Sequence, residues 1–169
     1  GPVEAAALAV QDEWVYYIAT ERGQDKSVIQ KLNLVTGETP WRPITLPGVI
    51  DAAEPVFVGN RLVLAIRMFD KGEVIALDTA SGATAWSFPK DRNISPITPG
   101  VTAWGRYLFC PAGNTILILD ADGNLVNDRY STQFGKITRK VLVHDNSLYC
   151  VSGYGMVYKF IMPPELIMP

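Results

Sequence analysis

Gly72 to Phe88 reads GEVIALDTASGATAWSF, and the chain is best understood outward from it. Val74, Ile75, Ala76 and Leu77 form a short apolar run of the kind found in a strand buried on both faces. Asp78 ends the run. Its carboxylate can accept a hydrogen bond from a backbone N–H two residues on, which starts a turn, and Gly82 can adopt the positive φ that completes it. The chain therefore reverses here, and Trp86 is expected on the returning strand, where a large side chain fills the space between sheets that fan apart.

The pattern recurs. Val28 to Trp41, VIQKLNLVTGETPW, places Asn33, Gly37 and Trp41 each 45 residues before Asp78, Gly82 and Trp86, without a gap. Thr115 to Leu125, TILILDADGNL, keeps Asp120 and Gly123 but is one residue shorter and has no Trp. Met156 to Met162 retains only the apolar strand before Pro163 and Pro164. A repeat of roughly 40 to 45 residues holding four short strands is the signature of propeller blades.

The expected architecture is all-β, a propeller of about four antiparallel four-stranded blades at residues 3–48, 49–91, 92–133 and 134–169, with the last blade incomplete. The first-to-second strand junctions support it independently: Gln11-Asp12-Glu13-Trp14, Gly59-Asn60-Arg61-Leu62, Trp104-Gly105-Arg106-Tyr107 and Asp145-Asn146-Ser147-Leu148 each set a polar or glycine turn before an apolar strand. Only Glu4 to Val10 admits a helical reading. The fourth blade lacks a fourth strand, which leaves an unpaired edge. Four blades are the lower limit for a closed ring, so an open arc, half of a seven- or eight-bladed propeller, is the other expectation. Two such arcs would close as a homodimer by packing first against fourth blades, with Leu148, Val157, Phe160, Trp14 and Ile18 as candidate contacts.

Composition narrows the function. The 169 residues are 48% hydrophobic and 19% charged, which supports one folded domain. A net charge of −2 with scattered basic residues argues against nucleic acid. No apolar run reaches the roughly 18 to 20 residues needed to span a bilayer as a helix. Gly1-Pro2 has the form of a protease scar from an expression tag, so a signal peptide or lipid-attachment cysteine of a longer parent would not be visible. Cys110 and Cys150 occupy equivalent repeat positions and are expected as separate core thiols. The single histidine, His144, excludes multi-histidine zinc sites and disfavours a Ser-His-Asp triad. Asp120-Ala121-Asp122-Gly123 is followed by NLVNDR, with no glutamate to close a calcium loop. Gly153-Tyr154-Gly155 has no helix after it and reads as a turn, not a phosphate loop. No metal and no cofactor are expected.

The motifs IALDTASGATAW (Ile75–Trp86) and LNLVTGETPW (Leu32–Trp41) resemble the repeat of quinoprotein-dehydrogenase-like propellers, often called pyrroloquinoline-quinone-like repeats. The resemblance implies architectural roles for Asn33, Gly37, Trp41, Asp78, Gly82, Trp86, Asp120 and Gly123. It also implies an extracytoplasmic (periplasmic or secreted) setting and a parent of seven or eight blades. The family holds quinone-dependent dehydrogenases, a propeller lipoprotein of the outer-membrane assembly machinery, and sensory or scaffold domains without cofactor. Its alcohol-oxidising branch walls the quinone with a disulfide of adjacent cysteines. Cys110 and Cys150 are not adjacent, so no catalytic residue is assigned.

The expected function is a non-catalytic scaffold for protein–protein interaction or assembly, the alternatives being a fragment of a quinone-dependent dehydrogenase or a ligand-sensing propeller. In a propeller the second-to-third strand hairpins and the blade-to-blade crossovers share one face, and longer loops on a rigid scaffold are where recognition resides. That face should carry Arg22, Asp25, Asp51, Glu54, Asp70, Lys71, Asp91, Arg92 and Phe134, a mixture suited to a protein or peptide partner.

Overall fold

The computed structural model describes residues 3–21, 23–50 and 54–167, and side chains from residue 6 onward. Among these residues fifteen strands form four antiparallel meanders. The first blade is β1 (Val3–Gln11), β2 (Trp14–Glu21), β3 (Lys26–Asn33) and β4 (Ile44–Pro47), and the second is β5 (Val56–Val58), β6 (Arg61–Met68), β7 (Lys71–Asp78) and β8 (Thr84–Phe88). The third is β9 (Thr102–Trp104), β10 (Tyr107–Ala112), β11 (Thr115–Asp120) and β12 (Leu125–Ser131). The fourth has three strands, β13 (Leu142–His144), β14 (Ser147–Val151) and β15 (Val157–Ile161), and a 3-10 turn at Pro164–Leu166 follows. Among the described residues blade four thus has three strands, and the segment containing Glu4 to Val10 is strand.

All four first hairpins are two-residue turns, closed by the pairs Gln11↔Trp14, Val58↔Arg61, Trp104↔Tyr107 and His144↔Ser147. Each turn opens with positive φ, at Asp12 (54°), Gly59 (57°), Gly105 (57°) and Asp145 (44°). That backbone matches the right-handed twist of the strands, and Asp, Asn and Gly adopt it at least cost.

The core is three layers, each between successive blades. Tyr16, Ile18 and Ile29 of blade one meet Leu62, Leu64 and Leu77 of blade two. Val63 and Val74 then meet Leu108 and Leu117 of blade three. Phe109, Ile116 and Ile118 finally meet Leu148 and Cys150 of blade four. Blades two and three are therefore buried on both faces, which is why VIAL and ILIL are continuous apolar runs. β3 and β15 instead alternate, because one face of each end blade has no neighbour among the described residues. Each Leu, Ile or Val so buried contributes roughly 1.5–3 kcal/mol.

Two details depart from the sequence reading. Trp41 is not on a returning strand: β4 starts only at Ile44 and pairs with the far half of β3, Ile29↔Ile44 to Lys26↔Pro47. Pro40 and Pro43 bracket Trp41 and bring no N–H to a ladder, so the chain loops out before β4 can form. Likewise the β6–β7 hairpin that carries Asp70 and Lys71 is not one of the longer loops expected on its face. Met68 pairs with Lys71, leaving the two-residue tip Phe69-Asp70.

Candidate functional site

The repeat residues form the joints between blades. In blade two, Asp78 Oδ1 accepts the backbone N–H groups of Ala80 (3.2 Å) and Ser81 (2.9 Å), and the Gly82 N–H donates to the Asp78 carbonyl (2.8 Å). In blade one, Asn33 Oδ1 accepts from Val35 and Thr36, each at 2.9 Å, and Gly37 donates to the Asn33 carbonyl at 2.9 Å. An amide oxygen thus replaces a carboxylate without altering the turn. Asp120 builds the third version by accepting from Asp122 and Asn124.

Each tryptophan docks on the turn of the next blade. Trp41 Nε1 donates to the Ala80 carbonyl at 3.0 Å, and Trp86 Nε1 to the Ala121 carbonyl at 2.9 Å. The indole lies so close over the turn that a Cβ on Gly82 would stand 3.0 Å from Trp41 Cδ2, and one on Gly123 2.5 Å from Trp86 Cδ2. Blade three has Asn127 where the repeat places its tryptophan, so no indole covers the last joint in that way. Tyr130 supplies a substitute, its hydroxyl donating to the Ile161 carbonyl at 3.0 Å while its ring packs on Phe160. A lone tyrosine three residues beyond the expected position carried no signal in the sequence.

Lys31 also lies in the first joint. It is buried, donates to the Thr79 carbonyl at 2.6 Å and sits 4.2 Å from the Trp14 ring centroid and 5.3 Å from that of Trp41. Burial lowers its pKa, with Asp78 opposing. Hydrogen bonds from the Ser81 N–H and hydroxyl hold the Asp78 carboxyl below the usual range, helped by Ala80 and by Arg61 at 2.6 Å. At Asp120 burial pushes upward, but bonds from Asn124 and Asp122 outweigh it and the net direction is down. These charges hold turns.

The opposite face is built from the β2–β3, β6–β7, β10–β11 and β14–β15 hairpins and the crossovers between blades. The crossovers are fastened to it: Val49 exchanges two 2.8 Å backbone bonds with Arg67, Gly72 donates to Ile94, and Ile137 donates to Gly113. Of the expected surface residues, Lys71, Asp91 and Arg92 come together. With Met68, Glu73 and Lys90 they line an open groove of about 530 Å³, beside the Phe69-Asp70 tip. Arg92 is 3.5 Å from Asp128 and lies over the Phe88 ring. Glu54 stands apart, paired with Lys140 at 3.3 Å. Asp25 accepts the Gly48 N–H through its carbonyl, and the backbone N–H of half-exposed Phe134 donates to the Tyr158 hydroxyl at 3.1 Å. Arg22 and Asp51 lie outside the described residues.

Two members of this face were not legible. Phe69 is 89% exposed at φ 57°, and Tyr154, at the tip of the β14–β15 hairpin, is 77% exposed. A bulky side chain rarely takes positive φ. The only hint was an aromatic residue directly before Asp70 in a turn.

The end faces are apolar. On blade one Leu8, Val10, Tyr17 and Leu32 are exposed, on the face away from blade two. On blade four Leu142, Val157 and Ile161 are exposed. Of the candidate closure contacts, Val157 lies there and Trp14 is half-buried. Leu148, Phe160 and Ile18 point the other way into the joints, because a strand's neighbours alternate faces. Cys110 and Cys150 are free and buried in different cores, and burial raises both thiol pKa values. Among the described residues no helix is long and apolar enough to cross a membrane, and no three His, Cys, Asp or Glu side chains cluster as metal ligands.

Comparison with known proteins places these features. No curated protein matches the sequence. Among solved structures, BamB from Moraxella catarrhalis is 21% identical with a TM-score of 0.70, covering 95% of this chain and 47% of its own. The computationally designed Ika4 protein is 17% identical at a TM-score of 0.68, covering 96% of this chain and 92% of its own. The designed Ika8 protein is 18% identical at 0.65, covering 92% and 45%. The chain thus spans about half the length of the BamB structure it resembles. A family model of pyrroloquinoline-quinone-type repeats, described as outer membrane protein assembly factor BamB, matches residues 2–162, and the chain belongs to that family.

Proposed function

We propose that this chain is a non-catalytic propeller scaffold that binds a protein partner through its loop face, in an extracytoplasmic compartment. One observation carries the reading: the Phe69 ring projects into solvent from a left-handed turn at the rim of a groove lined by Lys71, Asp91 and Arg92. Holding a phenylalanine at such a φ costs about 1–3 kcal/mol, and exposing the ring forgoes its burial. An aromatic anchor flanked by charge suits a protein interface, where aromatic and Arg residues dominate the energetics. The family's description as an assembly factor agrees with this role. The dehydrogenase alternative is less well supported, since the two cysteines occupy separate cores.

The test places a photo-crosslinking amino acid at Phe69 and, separately, at Asn60 on the opposite face, in the native extracytoplasmic extract. Discrete protein adducts are expected from Phe69 and not from Asn60, and they should fade in Asp70→Ala and Arg92→Ala backgrounds. Equal labelling from both faces, or capture indifferent to both alanine variants, would overturn it.

A homodimer is the second reading, favoured by the exposed apolar faces at both ends of the stack. Three face-to-face blade packings already lie within the chain, and blade four of one copy against blade one of another would add two more, an isologous closure. Light scattering should give twice the 18.6 kDa chain mass, falling to the monomer in Leu8→Asp and Val157→Asp. A monomeric parent protein would remove this reading.

A further inference from the structure

The crossovers that join blade two to three and blade three to four flank one cleft on the loop face, and each is anchored by a buried isoleucine. Ile97 and Ile137 are buried, while Thr98, Lys136 and Thr138 beside them are exposed. Backbone bonds fix the walls. The Ile137 N–H donates to the Gly113 carbonyl at 2.8 Å, the Thr138 N–H to the Val151 carbonyl at 2.9 Å and the Gly72 N–H to the Ile94 carbonyl at 2.8 Å. A Cβ on Gly113 would stand 3.0 Å from Ser95 Oγ, so the first crossover lies close against the β10–β11 hairpin.

The cleft, of about 350 Å³, is lined by Arg67 from the end of β6 and by Lys136. It continues past Thr98 and Thr138 into a second groove of about 490 Å³, lined by Arg139 and Lys140. Among the described residues, four cations thus line one continuous path and no carboxylate does. Lys136 and Arg139 form no ion pair there, and Lys140 meets Glu54 at 3.3 Å, a surface pair of a kind that binds weakly and exchanges readily. The whole chain carries a net charge of −2, so the positive path is a local segregation of charge. The groove beside Phe69 differs, since Lys71, Lys90 and Arg92 are mixed there with Glu73 and Asp91.

We propose that this path is a docking groove for an acidic, extended segment of a partner protein. Carboxylates spaced along a chain match cations spaced along a cleft. The guanidinium groups of Arg67 and Arg139 can each take a carboxylate through two parallel N–H donors, Lys136 and Lys140 supply point charges, and the threonine hydroxyls can bond a peptide backbone. The depth of the site selects a chain over a flat surface. A bilayer of anionic lipid would reach exposed Lys136 and Arg139 but not half-buried Arg67 and Lys140. The proposal rests on the scaffold reading and gives its partner a chemistry, at a groove separate from the one beside Phe69.

The experiment follows the fluorescence anisotropy of a labelled octaglutamate peptide added to the full chain at low ionic strength. Saturable binding is expected, weakening as salt shortens the Debye length from about 30 Å at 0.01 M to about 8 Å at 0.15 M. Lys136→Glu and Arg139→Glu should each lower the affinity about tenfold or more, because repulsion replaces attraction. Arg106→Glu makes the same change of net charge on the opposite face and should leave the affinity within about twofold. An equal loss in Arg106→Glu would mean attraction to net charge alone and would overturn the groove, as would the absence of saturable binding at low salt. Cosedimentation with phosphatidylglycerol vesicles that Lys136→Glu abolishes, while the peptide fails to bind, would assign the cations to a membrane and overturn the peptide. Phe69 adducts persisting after any of these failures would leave the loop-face reading standing. Peptide binding without such adducts would support the groove and remove only the Phe69 anchor.

Discussion

Alanine at Gly37, Gly82 and Gly123 compares one backbone strain in three surroundings. The three φ values lie between 75° and 80°, so an L-residue costs about 1–2 kcal/mol at each. At Gly37 that is the whole effect, because the space is open. At Gly82 the new methyl would stand 2.8 Å from Ile44 Cδ1 and 3.0 Å from Trp41 Cδ2, and at Gly123 2.5 Å from Trp86 Cδ2. Trp41 is buried and pinned by its bond to Ala80, so retreat loses roughly 1 kcal/mol of hydrogen bond. Staying overpacks the joint by about 1–3 kcal/mol. Gly82→Ala and Gly123→Ala should therefore exceed Gly37→Ala by about 1–3 kcal/mol, read from urea unfolding followed by far-ultraviolet circular dichroism. In a Trp41→Ala background, the excess at Gly82 should shrink, as coupled neighbours require. Equal losses at all three glycines would refute the reasoning. They would mean either that the indoles yield freely or that the first turn is as crowded in solution as the others.

Two further outcomes follow from the same joints. The folded pKa of Asp78 lies below its ordinary 3.8, so at a pH between the two values the unfolded chain binds more protons. Stability is then present above 3.8 and drains away as pH falls through the lowered folded value. Asp78→Asn keeps the turn, as Asn33 does in blade one, and should flatten that acid limb of a stability-against-pH profile; an unchanged slope would exclude Asp78 as a source. Cys110 and Cys150, buried in different cores with raised pKa values, should resist iodoacetamide in the native protein. Both should be modified after denaturation without added reductant, with labelling counted by mass spectrometry.

The sequence by itself determined the blade. An apolar run followed by Asp or Asn, then Gly, sets a strand and its reversal through backbone hydrogen bonds reaching only two to four residues, and such local chemistry needs no knowledge of the rest of the chain. The same holds for the first hairpins. Tertiary structure decided what spans blades. Trp41 was legible as a repeat residue, but its position off the strand follows from Pro40 and Pro43, and its partner Ala80 lies 39 residues away on another blade. Tyr130 replaces a tryptophan only because the Ile161 carbonyl lies within its reach. Which apolar residues face a neighbour and which face solvent, Ile18 against Leu8 or Leu148 against Val157, depends on pairing register, since a shift of one residue exchanges the two faces of a strand. The groove joining Lys71 to Arg92 exists only once separate stretches of chain are brought side by side.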